Sequence, residues 1–257
     1  MRYGDSKQVY FDKLSGRNST RDKENIVNTI FKNNSLSKGC TDDQKNYIIA
    51  HMNCRNYRKG EVVFYENQPS YLIYFVESGI VKLWKEGLHK DGQIIRFAKE
   101  GDMMGFWGAL ENNNYSLTAT AMTDSQLCFI TRDIFLPVIK SDSALNSILH
   151  DYIKELKKTE DDLRNMAEMN VREKVAHSIL ILLDLFKNKL DEISLRVVLS
   201  RKEIAALSAI CEDRVSKQLS DFRKERIIIT NGKNTYIDKL ALRKIISFSD
   251  YLDKIMN

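Results

Sequence analysis

The sequence predicts an α+β chain in which a β-rich segment, a long helix and a helix-turn-helix with a β-hairpin follow one another. Three observations carry that expectation. Short β-rich runs recur at roughly ten-residue intervals between residues 57 and 132. Apolar residues then repeat in heptads from Leu149 to Met166. Last comes a pattern of helix, tight turn, helix and hairpin after Ser200.

The elements follow in order. Residues 1–24 are polar and mixed in charge, with Gly4, Gly16 and a run of Ser, Asn and Thr, and predict a mobile arm. Ile26, Ile30 and Phe31, then Tyr47, Ile48 and Met52, recur at helical spacing around a polar break at 33–38, so two short helices are expected. Strands are expected at 61–65, 71–76, 79–84, 93–98, 115–121 and 126–130. Turn chemistry separates them, at Asn67-Gln68-Pro69, Glu77-Ser78-Gly79, Lys90-Asp91-Gly92 and Glu100-Gly101-Asp102. This is the signature of an all-β sandwich or barrel.

Between residues 144 and 170, Leu149, Leu156 and Leu163 stand seven apart, and Tyr152, Thr159 and Met166 follow each by three. They form one a/d seam with charged flanks. The seam admits two readings, a helix pair between two chains or a long helix packed on its own barrel. Residues 171–190 continue as an amphipathic helix through Val175, Ile179, Leu182, Leu183 and Phe186. Ser200 followed by Glu203 is a capping box that starts a helix at Arg201, carrying Ile204 and Leu207. After a break at 209–211, Val215, Leu219 and Phe222 mark the apolar face of a second helix. Residues 227–230, the turn Asn231-Gly232 and residues 235–237 predict a hairpin, so the whole reads as a winged helix-turn-helix.

Composition narrows the function classes. Of the net charge of +5, residues 171–257 carry all, with 17 Lys+Arg against 12 Asp+Glu. No apolar run is long enough to span a membrane, and no apolar segment at the N-terminus reads as a secretory signal. Four Cys at irregular spacing fit reduced thiols in a cytoplasm better than a disulfide framework, and with four His they show no metal-ligand spacing. No phosphate loop, nucleophile elbow or paired acid and base is present, so neither catalytic residues nor a cofactor are expected.

A helix that enters a major groove needs donors and acceptors on its outward N-terminal part. Asp213, Ser216 and Lys217 occupy those positions. Lys217 suits guanine O6/N7 and Asp213 suits cytosine N4, while Arg214, Arg223, Lys224, Lys202 and Lys233 are placed for phosphates.

The stretches YRKGEVVFYENQPSYLIYFVESGIVKLWKEG, QIIRFAKEGDMMGFWGAL, YSLTATAMTDSQLCFI, RNMAEMNVREKVAHSIL and LSRKEIAALSAICEDRVSKQL resemble the Crp/Fnr-type bacterial transcription regulators, from Thr41 to about Ile246. The resemblance implies a jelly-roll-like β-roll (a double-stranded β-helix) at 25–140, a dimerisation helix at 141–170 and a winged helix-turn-helix at 171–257. It implies a homodimer on a palindromic operator in double-stranded DNA, and RNA polymerase as a partner if the protein is an activator. The recognition segment departs from the family pattern, reading Glu212-Asp213-Arg214-Val215-Ser216-Lys217, with Ala209 at the family's turn glycine and Cys211 at its helix cap.

Members that bind cyclic AMP carry Gly-Glu-Leu, a spacer and Arg-Ser-Ala. The matching stretch here runs from Gly101-Asp102-Met103 to Tyr115-Ser116-Leu117, with Tyr115 where the arginine stands in the family. Neither the clustered cysteines of the iron-sulfur members nor dependable haem ligands are present. An effector other than cyclic AMP is therefore expected, in a pocket of Phe97, Met103, Phe106, Trp107, Tyr115 and Leu117 against Thr159 of the long helix; the same aromatic set also reads as plain roll core. The competing reading from another class is a ligand-binding or protein-interaction module whose winged helix docks a protein.

Overall fold

The computed structural model describes residues 29–31, 36–87, 92–111, 113–140, 142–186, 200–231 and 234–246. The expected arm at 1–24 lies outside them. The chain divides into two compact units, Met1–Gly87 with Ile94–Leu156, and Lys157–Asn257 with the short Leu88–Gln93.

The first unit is a roll of two four-stranded sheets. After the short helices α1 (Leu36–Gly39) and α2 (Asp42–Ala50) come β1 (Asn53–Tyr57), β2 (Val62–Phe64), β3 (Leu72–Ser78), β4 (Ile80–Glu86), β5 (Gly92–Lys99) and β6 (Met103–Met104). Then follow α3 (Phe106–Leu110), β7 (Thr118–Ala121), β8 (Ser125–Thr131) and α4 (Arg132–Ile139). One sheet has the order β1-β8-β3-β6 and the other β2-β7-β4-β5. Thr41 starts α2 through a reciprocal capping box with Gln44.

Side chains alternate across β3, yet Leu72 to Val76 are all buried. Leu72, Tyr74 and Val76 face the roll interior with Phe64, Leu127 and Phe129. Ile73 and Phe75 face the other way, into a second cluster with Ile48, Phe106, Phe135 and Ile148 from the helices. Each such side chain contributes about 1.5–3 kcal/mol on burial. The structure adds β1, β6, α3 and α4 to the expected elements and starts β7 only at Thr118, since Tyr115 leaves the strand to enter the core.

Cys54 and Cys128 stand opposite each other in the β1–β8 register and are joined by a disulfide. This corrects the expectation of reduced thiols throughout, because a separation of 74 residues hides a pairing made by adjacent strands. Cys40 and Cys211 are free.

Helix α5 (Asp142–Glu168) runs from the first unit into the second. In the second unit, α6 (Val171–Leu185) begins at Asn170, whose side chain accepts the Arg172 and Glu173 amides while Glu173 returns a bond to the Asn170 amide. The end of the expected helix, 187–190, lies outside the described residues. Then come α7 (Arg201–Ser208), α8 (Glu212–Lys224), the antiparallel hairpin β9 (Ile228–Asn231) and β10 (Asn234–Ile237), and α9 (Lys239–Ile245). The register pairs Asn231 with Asn234, which moves the connection to 232–233 from the expected 231–232. Ile204, Val215, Leu219, Phe222 and Leu242 are buried, and α6 touches α7, α8 and α9.

His177 is buried on α6, with no hydrogen-bond partner for Nδ1 among the described residues. Burial, reinforced by the Lys158 charge, lowers its pKa to about 4 from 6.5. The folded state thus favours the neutral ring, and the stability this contributes is complete above pH 6.5 and lost as pH falls towards 4. Urea unfolding at pH 7 and pH 4.5 should show about 2–3 kcal/mol of that loss in the wild type and a distinctly smaller one in His177→Gln. Equal slopes for the two proteins would refute the assignment.

Candidate nucleic-acid interface and roll cavity

Helix α8 is the most amphipathic element of the second unit. Val215, Leu219 and Phe222 are buried, whereas Asp213, Arg214, Lys217, Arg223 and Lys224 are exposed. Ser200 Oγ accepts the Glu203 amide at 3.4 Å and starts α7 at Arg201. Ala209 then turns the chain with a φ of 54°, a left-handed conformation that glycine adopts without strain. Cys211 caps α8 without a side-chain bond, while Glu212 and Asp213 in its first turn and Arg223 and Lys224 in its last complement the helix dipole.

Asp213 and Lys217 lie one helical turn apart on the outward face. Ser216 is half-buried, and its hydroxyl donates to Glu212 O at 2.8 Å while accepting from Arg201 Nη1 at 3.4 Å. Arg201, on α7, is thus brought to the same edge, a placement the sequence reading missed because it depends on the crossing of two helices. Arg226 was missed as well. It follows α8 with a φ of 59° and, with Arg223, borders a concavity completed by Ile228, Ile229 and Thr230. Lys202 is exposed on α7, Lys224 reaches Asp221 at 3.6 Å, and Lys233 lies outside the described residues.

Arg172 holds the far end of α8. Its guanidinium donates to both Glu225 carboxylate oxygens, at 2.9 and 2.5 Å, and lies over the Phe222 ring at 4.8 Å. That hydrogen bond keeps the Glu225 carboxyl below its ordinary pKa.

In the first unit, Tyr115 occupies the roll interior. Its hydroxyl donates to Leu72 O at 2.8 Å and accepts from Leu72 N, and its ring stacks on Phe64 at 4.0 Å. Gly105, with a φ of 79°, permits this packing, since a Cβ there would lie 2.8 Å from the Tyr115 ring. Leu117 packs on the same core. The remaining expected pocket residues divide. Phe97, Met103, Phe106 and Trp107 border a cavity of about 270 Å³, together with Arg96, Asp102, Asp151, Tyr152 and Glu155. Thr159 belongs to the second unit.

Charge in this cavity is predominantly acidic. Among the described residues that line it, Arg96 is the one cation and is committed to Glu155 at 2.6 Å, while Asp102 and Asp151 add two further carboxyls. Burial raises the pKa of Asp102, opposed by the Lys99 amide that it accepts and by the nearby Arg96 charge. A metal has little to bind among the described residues. The grouping Cys54, Glu77 and Cys128 has ligand atoms within 4.8 Å of one another, but the disulfide occupies both sulfurs.

The heptad face of α5 is largely uncovered. Ala144 and Ile148 pack into the helical cluster of the first unit, whereas Leu149, Tyr152, Leu156 and Leu163 are 37 to 64% exposed. Thr159 and Met166 are half-buried. Packing on the chain's own roll therefore accounts for the first turns of the helix and leaves the seam.

Comparison with known proteins places these parts together. The cyclic nucleotide-binding domain matches residues 54–142. The chain is 26% identical over 189 residues to the transcriptional regulator LdrP of Thermus thermophilus, covering 73% of this chain and 93% of that protein. It is 23% identical over 221 residues to the cyclic AMP receptor protein of the same organism, covering 84% and 98%. Among solved structures, the c-di-GMP-responsive global regulator CLP of Xanthomonas campestris superposes with a TM-score of 0.63 at 18% identity, over 77% of this chain and 99% of that one, a likeness of fold. No described helix is long and apolar enough to cross a membrane. With a nucleotide-binding-type roll, a winged helix and regulators among its relatives, the chain carries a cyclic nucleotide-binding domain and is similar to the Crp/Fnr-type transcriptional regulators.

Proposed function

We propose that the chain is a homodimeric, sequence-specific DNA-binding regulator with residues 25–140 as sensor, 141–170 as dimerisation helix and 171–257 as DNA-binding domain. The observation that carries the reading is the face of α8 on which Asp213 and Lys217 are exposed one turn apart, opposite a fully buried apolar stripe. Lys217 and Asp213 read base edges, with Ser216 beside them. Arg214, Arg223, Lys224, Lys202 and Lys233, joined by Arg201 and Arg226, serve phosphates. The seam, in which Leu149, Tyr152, Leu156 and Leu163 are exposed and Thr159 and Met166 half-buried, supports pairing with a second copy, and two copies fit a two-fold operator. The exposed Ile229 and Tyr236, paired across the hairpin, are what would favour protein docking instead.

The effector of this reading is not cyclic AMP. Tyr115 fills the roll where the family has an arginine, and the described residues of the neighbouring cavity carry three carboxyl groups against one paired cation. An anionic cyclic phosphate would meet repulsion and no free guanidinium there. Relatives give no choice, since one is named for cyclic AMP and a fold neighbour for c-di-GMP. A small uncharged or aromatic effector suits the cavity bordered by Phe97, Met103, Phe106 and Trp107, and would act by stabilising one orientation of the paired winged helices. As an activator, the protein would also contact RNA polymerase.

Affinity for duplex DNA from the region upstream of its own gene should fall about 10³-fold or more between 50 and 200 mM salt, as several phosphate contacts per protomer require. Lys217→Ala should erode preference for the operator over random duplex by about 1–3 kcal/mol while sparing random-duplex affinity. Salt-insensitive binding, or equal losses on both duplexes, would refute the assignment. In sedimentation, Leu156→Glu combined with Leu163→Glu should turn a dimer into a folded monomer; an unchanged dimer would remove the seam from the interface. Cyclic AMP at 1 mM, on the order of the weakest useful affinity for an effector, should leave the melting midpoint unmoved, and a clear rise would overturn the exclusion.

A further inference from the structure

We propose that Cys54 and Cys128 are a reversible thiol–disulfide couple that fastens the edge strand β1 to the roll and exchanges with low-molecular-weight thiols and disulfides. The inference does not depend on the DNA-binding reading.

Its ground is topological. Among the described residues, β1 is the outer strand of the order β1-β8-β3-β6 and β8 is its one strand neighbour. Their register runs from Asn53 opposite Phe129 to Tyr57 opposite Ser125, and it sets Cys54 directly against Cys128. Both sulfurs face the apolar cluster that holds Phe75 and, from α2 and its end, Ile48, Ile49 and Met52. β1 therefore connects those helical residues to the sheet. The bridge closes a 74-residue separation that spans most of the roll, so opening it enlarges the unfolded ensemble and loosens an edge strand at once.

Access follows from the same placement. An edge strand opens locally at lower cost than the domain unfolds, and Asn53, next to Cys54, is exposed. Cys54 lies on the edge strand and Cys128 on the inner strand β8, so local opening of β1 presents Cys54 to an incoming thiolate first. In reduction, a small thiolate RS⁻ attacks Cys54 Sγ, the protein S–S bond breaks, and Cys128 leaves as a thiolate that takes up a proton. A second RS⁻ attacks the outer sulfur of the mixed disulfide, releasing RS–SR and leaving Cys54 as the second thiol after protonation. Two small thiols are thereby oxidised and one protein disulfide is reduced, and oxidation runs the same steps backwards. The remaining cysteines are not alternatives in this geometry. Cys40 lies outside the β1–β8 register and is a free thiol, and Cys211 is a free thiol in the second unit.

The test uses the full chain equilibrated with either oxidised or reduced glutathione under anaerobic conditions. Non-reducing peptide mapping should find Cys54 linked to Cys128 in the oxidised sample, with two free thiols titrating in denaturant, those of Cys40 and Cys211. All four should titrate after reduction, and the link should return on reoxidation. Reduction should lower the melting midpoint by about 5–15 °C. Cys54→Ser and Cys128→Ser should melt at a midpoint independent of the glutathione couple. Four free thiols in the oxidised sample, a link through Cys40 or Cys211 in place of this one, or a wild-type midpoint that ignores reduction would each overturn the proposal. Mapping and titration need only the wild-type chain, so they decide the matter even if neither variant folds.

Discussion

Strand β3 has no side turned to water between Leu72 and Val76. One face meets the second sheet across the roll and the other meets the helical cluster, so every position along it is apolar and every neighbour is constrained by that double burial. The helices α2, α3, α4 and the first turns of α5 lie where they cover Ile73 and Phe75. Cys54 and Cys128 lie on that covered side, which excludes water from the pair, while Tyr57, Leu127 and Phe129 fill the other. Removing either cover would expose alternate residues of the same strand, so β3 ties the two apolar clusters together.

The interior side of this arrangement decides what the roll can hold. Tyr115 bonds its hydroxyl to both polar atoms of the Leu72 backbone and stacks on Phe64, so it satisfies its polar end inside an apolar core. The cavity beside this core lies towards α5, where aromatic rings meet an excess of carboxyl groups among the described residues. In the second unit, by contrast, cations gather on exposed surfaces. α8 is fixed on its buried side by Val215, Leu219 and Phe222 and at its C-terminal end by the Arg172–Glu225 pair, which leaves its outward face free to meet a partner.

Legibility differed by element for physical reasons. The runs at 71–76 and 126–130 were plain because their β-branched and aromatic residues are buried, whereas β1, with the sequence NCRNY, alternates buried Cys54 and Tyr57 with polar neighbours and carries little apolar signal. β6 has two residues and α3 five, too few for any periodicity to register. Tyr115 and Leu117 read as pocket residues because aromatic and aliphatic side chains line pockets and cores alike; the Leu72 hydrogen bonds distinguish the two, and they are made 43 residues away in sequence. Arg201 and Arg226 went unnoticed because their nearness to the outward side of α8 depends on the contact of α7 with α8 and on the left-handed turn after α8, which no local spacing reveals.

By itself, the sequence determined what depends on local spacing: the order of roll, long helix and winged helix, the Ser200 start of α7, the buried stripe of α8 with Asp213 and Lys217 opposite it, and the confinement of the excess charge to residues 171–257. Those features follow from backbone periods and capping chemistry, which operate within a few residues. Tertiary structure alone decided the meeting of Cys54 with Cys128, the filling of the roll by Tyr115, the acidic character of the cavity beside α5 and the approach of Arg201 to Ser216. Each of these joins groups far apart in the chain, and their distances are set by strand register and helix crossing, which no local pattern encodes.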